Sequence, residues 1–262
     1  MKSMDTALAD YLAWGCYQEA FGIAEGTNAL WGATCIFTEL LGRTPLAQRA
    51  LKGWQRLAVT GEGGPIPWPG VMVLRETLLE MDEPIAADIV IVAADCYLRG
   101  HDWHLIQVRD VSSSGDKMGI QLGVPERGET TKTGTRQGVL PDFSLTKAII
   151  QSNMEGKTPE QKLFDMTPAE FREIWSKACE KLHWYPGPPH SLRHCGPSYD
   201  ASVAYRSLDA IRTRGRWRAK TSVLRYQKAH VLIAAEAAMP PELLARGRSL
   251  QDKLGKRAPK AL

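Results

Sequence analysis

This sequence of 262 residues has little cysteine and none of it paired. Its five cysteines, Cys16, Cys35, Cys96, Cys179 and Cys195, are odd in number, and no two stand at CxxC spacing. A zinc ribbon or a disulfide framework is therefore excluded, and a reducing compartment fits. Long apolar runs are absent as well. The best, Ile85 to Val92, falls well below the roughly 20 residues of a membrane span and holds Asp88. The first residues, Met1-Lys-Ser-Met-Asp5, lack the apolar core of a secretory signal. There is no glycine-rich phosphate loop and no carboxylate cluster with metal-ligand spacing, so neither a nucleotide nor a metal cofactor is expected. With 44% hydrophobic and 24% charged residues, what remains is a globular protein, expected to be intracellular and without a membrane partner.

Charge is present but unevenly placed. From Tyr205 to Leu262 fourteen Lys/Arg face four Asp/Glu, a local +10 on a chain whose total is +4, so the rest of the chain is acidic. A basic quarter on an acidic body points to a polyanionic partner, with phosphate backbone the usual one; a solvated basic tail fits the charge alone equally well.

Apolar spacing divides the chain. Leu8, Tyr11, Leu12 and Cys16 keep helical intervals, as do Leu30, Trp31, Ile36, Leu40 and Leu41, and a third helix is expected from Pro45 through Leu51, Trp54 and Leu57. The stretch Gly61 to Gly70 is dense in Gly and Pro and predicts a linker. Beyond it, helices are expected over Val71 to Met81 and Pro84 to Leu98. Alternation from Lys117 to Val124, a turn at Pro125 to Gly128 and a return over Arg136 to Leu140 predict a small antiparallel sheet. Thr167-Pro-Ala-Glu170 is a capping box with proline at the first helical position. Further helices are expected over Ser198 to Arg212, Thr221 to Met239 and Pro241 to Leu254. The fold class is α+β, mainly helical: a short helical domain over 1–60, the linker over 61–70, and a larger domain over 71–262.

Two sets of residues carry candidate chemistry. Lys132-Thr-Gly134 and Ser144-Leu-Thr-Lys147 match boxes of serine β-lactamases, but in reversed order and without the third box between them, which excludes that reading. The second set is ordered: Arg99 with Asp102, Lys132 beside a turn, His190-Ser-Leu-Arg193-His194, Arg214-Gly-Arg-Trp217, and Tyr226. Singly, each is weak.

Together they resemble the tyrosine recombinase (phage integrase) family over about Ile85 to His230, in a form close to recombinase-like proteins of eukaryotic mobile elements. Arg99 matches the arginine of the first box, with Asp102 and Arg109-Asp110 in its remaining places. Lys132 matches the hairpin lysine, His190 and Arg193 the second box, Trp217 the His-or-Trp position, and Tyr226 the nucleophile. His194 is read as structural, because the matching histidine is His190.

The resemblance implies site-specific DNA cleavage and rejoining through a 3′-phosphotyrosyl intermediate, as in recombination or integration, with double-stranded DNA as partner. It also implies a C-shaped clamp, a homotetramer at synapsis that exchanges C-terminal segments hinged near Pro240-Pro241, and residence in a prokaryotic cytoplasm or a eukaryotic nucleus. The domain over 1–60 becomes a shortened core-DNA-binding domain and 71–262 the catalytic domain. Physical chemistry agrees with the residue types. Charge growing on phosphate oxygens is met by the planar, permanently charged forks of Arg99 and Arg193. A phenol with pKa about 10 is only about one part in a thousand ionised near neutrality, and neighbouring guanidiniums favour the phenolate. His190 would take the phenol proton or donate to the phosphate, Lys132 would protonate the leaving 5′ oxygen, Trp217 would offer its indole N–H, and Asp102 would orient Arg99. Arg214, Arg216, Arg218, Lys220 and Arg225, crowded around the nucleophile, are expected to contact DNA phosphates. Two further readings stay open for the same residues: a relative that binds DNA without cutting it, and a type IB topoisomerase-like enzyme.

Overall fold

The structure is a computed structural model and describes residues 3–19, 21–57, 64–203, 205–224, 226 and 229–254. The chain forms two compact units, 1–62 and 63–262.

The first unit is three helices, α1 (Met4–Tyr17), α2 (Ile23–Ile36) and α3 (Pro45–Leu57). Leu12, Leu30, Ala47, Leu51 and Trp54 are its buried core. A nonlocal cap fixes α1 against α3. The Asp5 carboxylate accepts the N–H groups of Leu46 and Ala47 at 3.0 and 2.9 Å, two of the donors that the first turn of α3 leaves unpaired. Tyr11, Trp31, Ile36, Leu41 and Leu57, placed on buried stripes by their spacing, are instead exposed, because three short helices have too little facing surface to cover them.

The second unit is built around α5 (Pro84–Cys96), whose residues from Ile89 to Cys96 are all buried. Against it pack α4 (Trp68–Glu80), α7 (Ser144–Met154), α8 (Pro168–Lys181) and α9 (Leu192–Ser202). Part of the expected linker belongs to this core. Trp68, Pro69 and Gly70 open α4, and Ile66 through Gly70 are buried, since a tryptophan and an isoleucine gain more by packing than a Gly/Pro-rich stretch gains by staying solvated. The capping box of α8 forms as its sequence predicts, with Thr167 Oγ1 accepting from Glu170 N–H and Glu170 Oε2 accepting from Thr167 N–H at 2.7 Å.

The sheet is a three-stranded antiparallel meander of β1 (Val111–Ser114), β2 (Lys117–Leu122) and β3 (Gln137–Val139), which makes the fold mainly helical with one small sheet. Met118, Ile120 and Leu122 alternate onto its buried face. The β2–β3 connection carries a tight turn in which Thr131 and Gly134 exchange backbone hydrogen bonds of 2.9 and 3.2 Å, so that Lys132 and Thr133 form its tip.

Further along the chain come α10 (Leu208–Arg214), α11 (Thr221–Leu224) and α12 (Ala229–Ala237). The single helix expected from Ser198 to Arg212 is broken. The α9 helix ends at Ser202, and Ser207 caps α10 by accepting the Ala210 N–H. The last helix, α13 (Pro241–Leu254), packs along α4 of its own chain. A β-carbon on Gly247 would lie 2.3 Å from the Pro69 carbonyl oxygen, so the two helices meet at a distance only glycine allows. Among the described residues no helix is long and apolar enough to cross a membrane.

Candidate active site

The helix α5 stops because Tyr97 turns left-handed, at φ 54°. Tyr97 is fully buried, with its hydroxyl donating to Asp200, and its carbonyl points where two guanidiniums meet. Arg193, on the first turn of α9, donates Nη1 to that carbonyl and Nη2 to the Gly215 carbonyl at 2.7 Å. Arg216 donates Nη2 to the same Tyr97 carbonyl at 3.0 Å and to Asp102 Oδ2 at 3.0 Å. Asp102 sits in the first turn of α6 (Gly100–Leu105), where the same oxygen accepts the Arg99 N–H. Arg99 Nη1 lies 3.8 Å and Arg193 Nη1 4.0 Å from this oxygen. Three guanidiniums thus surround one buried carboxylate, an excess of positive charge in a site nearly closed to water. Burial first, and the neighbouring Arg99 and Arg216 next, push the Arg193 guanidinium down to about 9.

Trp217 links this cluster to the phenol. Its ring lies under the Arg193 guanidinium at 4.8 Å and 5.0 Å from the Tyr226 ring. Gly215 makes that possible, because a β-carbon there would stand 1.7 Å from the Trp217 ring. Tyr226 is 4% exposed, and its hydroxyl is hydrogen-bonded to His194 Nδ1 at 3.0 Å. His190 stands edge-on to His194, ring centres 5.3 Å apart.

Arg99, Asp102, Arg193, Trp217 and Tyr226 therefore come together. Three expectations need correction. The imidazole that holds the phenol is His194, not His190: His194 lies on α9 one residue after Arg193, while His190 is in the preceding 3₁₀ turn. Its only sequence signal is that adjacency to Arg193. Arg216, expected on the DNA-facing surface, is 7% exposed and belongs to the guanidinium cluster. Arg214 is also internal. It donates to the Asp95 and Leu140 carbonyls and pairs with Asp142 at 2.9 Å. Arg216 is left-handed at φ 58°, which turns its side chain inward.

Arg218 and Lys220 are exposed, and Arg225 lies outside the described residues. Arg218 reaches the hairpin, with Nε and Nη2 on the Thr133 carbonyl at 3.2 and 2.9 Å, and so ties the segment after Trp217 to the exposed tip that carries Lys132. Asp110 lies elsewhere, clasped by both Nη atoms of Arg127 at 2.9 and 2.7 Å. Among the described residues no group of His, Cys, Asp and Glu could hold a metal ion.

No protein-family model and no curated protein matches this sequence. Solved structures do. The fold is similar to that of the XerH site-specific recombinase bound to palindromic difH substrate in a post-cleavage complex. That likeness has TM-score 0.62 and 11% identity, and covers 88% of this chain and 71% of that one. It is also similar to the Tn1549 transposon integrase in complex with circular intermediate DNA, with TM-score 0.63, 12% identity and coverage of 91% and 86%. The same integrase with transposon right end DNA aligns at TM-score 0.57, 11% identity and coverage of 96% and 85%. The fold is thus one shared with site-specific recombinases and integrases, the family its motifs resemble.

Proposed function

We propose that this chain cleaves and rejoins double-stranded DNA, with Tyr226 as nucleophile. The observation that carries the reading is the phenol of Tyr226 hydrogen-bonded to an imidazole and packed at a tilt against Trp217, whose ring lies under a guanidinium of a cluster holding more positive charge than its carboxylate balances.

In the proposed step the Tyr226 oxygen attacks a DNA phosphorus, and a P–O bond to Tyr226 forms as the P–O5′ bond breaks. With Nδ1 of His194 unprotonated, the phenol donates its hydrogen bond there, the geometry that lets the imidazole take the proton. Arg99 and Arg193 bind the non-bridging oxygens as charge grows on them, and the leaving 5′ oxygen takes a proton from Lys132. The covalent bond keeps the energy of the broken one, so a 5′ hydroxyl reverses the step onto the same or another strand. At 4% exposure the phenol must be uncovered, or swing out, before a phosphorus can reach it. In this reading the unit over 1–62 grips the duplex, and a homotetramer forms on DNA.

The test uses duplexes of random sequence carrying a nick, so that cleavage releases a short strand and traps the adduct. A protein–DNA band that survives denaturing gels and vanishes in Tyr226→Phe supports the enzyme, and the recovered strands give its target. Salt-sensitive binding with no adduct supports a DNA-binding relative instead, and relaxation of supercoiled plasmid without joining between duplexes supports a topoisomerase.

A further inference from the structure

Arg216 has a place in this cluster that its neighbours do not explain. A non-glycine residue in the left-handed region costs about 1 kcal/mol or more, and a buried guanidinium pays a further desolvation cost, so both must be offset by what Arg216 does there. Its contacts identify the compensation. Of the three guanidiniums around Asp102, only Arg216 reaches hydrogen-bond distance of the carboxylate, at 3.0 Å, against 3.8 and 4.0 Å for Arg99 and Arg193. Arg216 Nη1 lies 3.4 Å from the Arg214 carbonyl, and its Nε has no hydrogen-bond partner. Arg99 Nη1 is likewise a buried donor without a hydrogen-bond partner. One carboxylate can neutralise only one cation. Whichever arginine holds it is withdrawn from an incoming anion, and the other two keep their charge.

We propose that Arg216 is a positioning residue that occupies Asp102 and so leaves Arg99 and Arg193 uncompensated for a phosphodiester oxygen. This rests on the strand-cleavage reading for its ligand, but not for its geometry. Without Arg216, the Asp102 carboxylate is free to close the remaining distance to Arg99 or Arg193 and bind the fork that should take the phosphate. Lysine at 216 can still occupy the carboxylate. Removing the carboxylate along with Arg216 also frees both forks.

The experiment is a titration of the full chain with orthovanadate, a phosphate-shaped anion, followed by calorimetry at low ionic strength, alongside thermal unfolding. Arg216→Ala is expected to weaken binding by about tenfold or more, as a newly made buried ion pair competes with the anion. The double variant Arg216→Ala/Asp102→Asn is expected to return to within about threefold of the parent, as is Arg216→Lys, which keeps a cation on Asp102 and carries the test if the alanine variant does not fold. The proposal is overturned if Arg216→Ala binds like the parent. It is equally overturned if the double variant binds no better than Arg216→Ala, or if a folded Arg216→Lys loses about tenfold, because Arg216 would then touch the anion itself. A parent chain that binds vanadate in this pattern yet forms no adduct with nicked DNA overturns the cleavage reading and leaves the role of Arg216 standing.

Discussion

At the scale of single residues, the phenol's partner decides the first prediction. His194 Nδ1 lies 3.0 Å from Tyr226 Oη, within hydrogen-bond reach of the phenol proton. His194→Ala should lower the rate of adduct formation by about 10²-fold or more, the ordinary contribution of a general base, while duplex binding is unchanged. Single-turnover cleavage of the recovered target strand measures it, and a full rate in His194→Ala would return the role to His190. Gly215 supplies a second. Any β-carbon there collides with the Trp217 ring, so Gly215→Ala must push the ring off Arg193 and Tyr226. A loss of about 1–3 kcal/mol of stability is expected, read from thermal unfolding, together with a fall in adduct formation.

At the scale of elements, a chain of ion pairs holds the site from behind. Asp200, fully buried, accepts from the Tyr97 hydroxyl and from Arg206, whose other nitrogen pairs with Asp142; Asp142 also pairs with Arg214 at 2.9 Å. Arg206→Ala strands a buried carboxylate and should cost about 3–5 kcal/mol in chemical or thermal unfolding, whereas breaking a solvent-exposed pair such as Lys177–Glu173 should leave the unfolding midpoint nearly unchanged. The same elements show what the sequence could and could not reveal. The box at Thr167–Glu170 and the alternation of Met118, Ile120 and Leu122 were readable because their cause is local: a cap reaches three residues and a pleat repeats every two. Strand β1 was not. Its Val111-Ser-Ser-Ser114 has one buried residue and is held in extended form by pairing with β2, a contact made by the fold. Nor was the break between α9 and α10, where Arg206 leaves a helical path to reach Asp200 and Asp142. Of the site, the residue types on the recurring motif were legible in order, but their partners were not. Which histidine meets the phenol, and whether Arg216 faces in or out, depend on the turn at Gly215-Arg216 and on where α5 ends.

At the scale of the whole molecule, the uneven charge must be reread through the fold. The stretch from Tyr205 to Leu262 carries a formal +10, but several of its arginines are already committed. Arg206, Arg214 and Arg216 are bound inside the fold to Asp200, Asp142 and Asp102, while Arg246 and Arg248 pair with Glu80 and Glu236 at the surface. A cation that is paired inside the fold displaces no counterion from DNA, so it adds nothing to the salt dependence of binding. The exposed Arg218 and Lys220, beside the hairpin tip that carries Lys132, remain free to contribute among the described residues. Measured against salt, the slope of log affinity for a duplex should be shallower than fourteen basic residues would give. Lys220→Ala should reduce that slope by about one and weaken binding to any sequence uniformly. Arg214→Ala should instead leave the slope near the parent value and lower the thermal midpoint, because it removes a carbonyl and carboxylate ligand and no phosphate contact. Filter binding at several salt concentrations, paired with thermal unfolding, separates the two classes. An Arg214→Ala chain that keeps its melting temperature and loses a full unit of slope would place that side chain on the DNA after all.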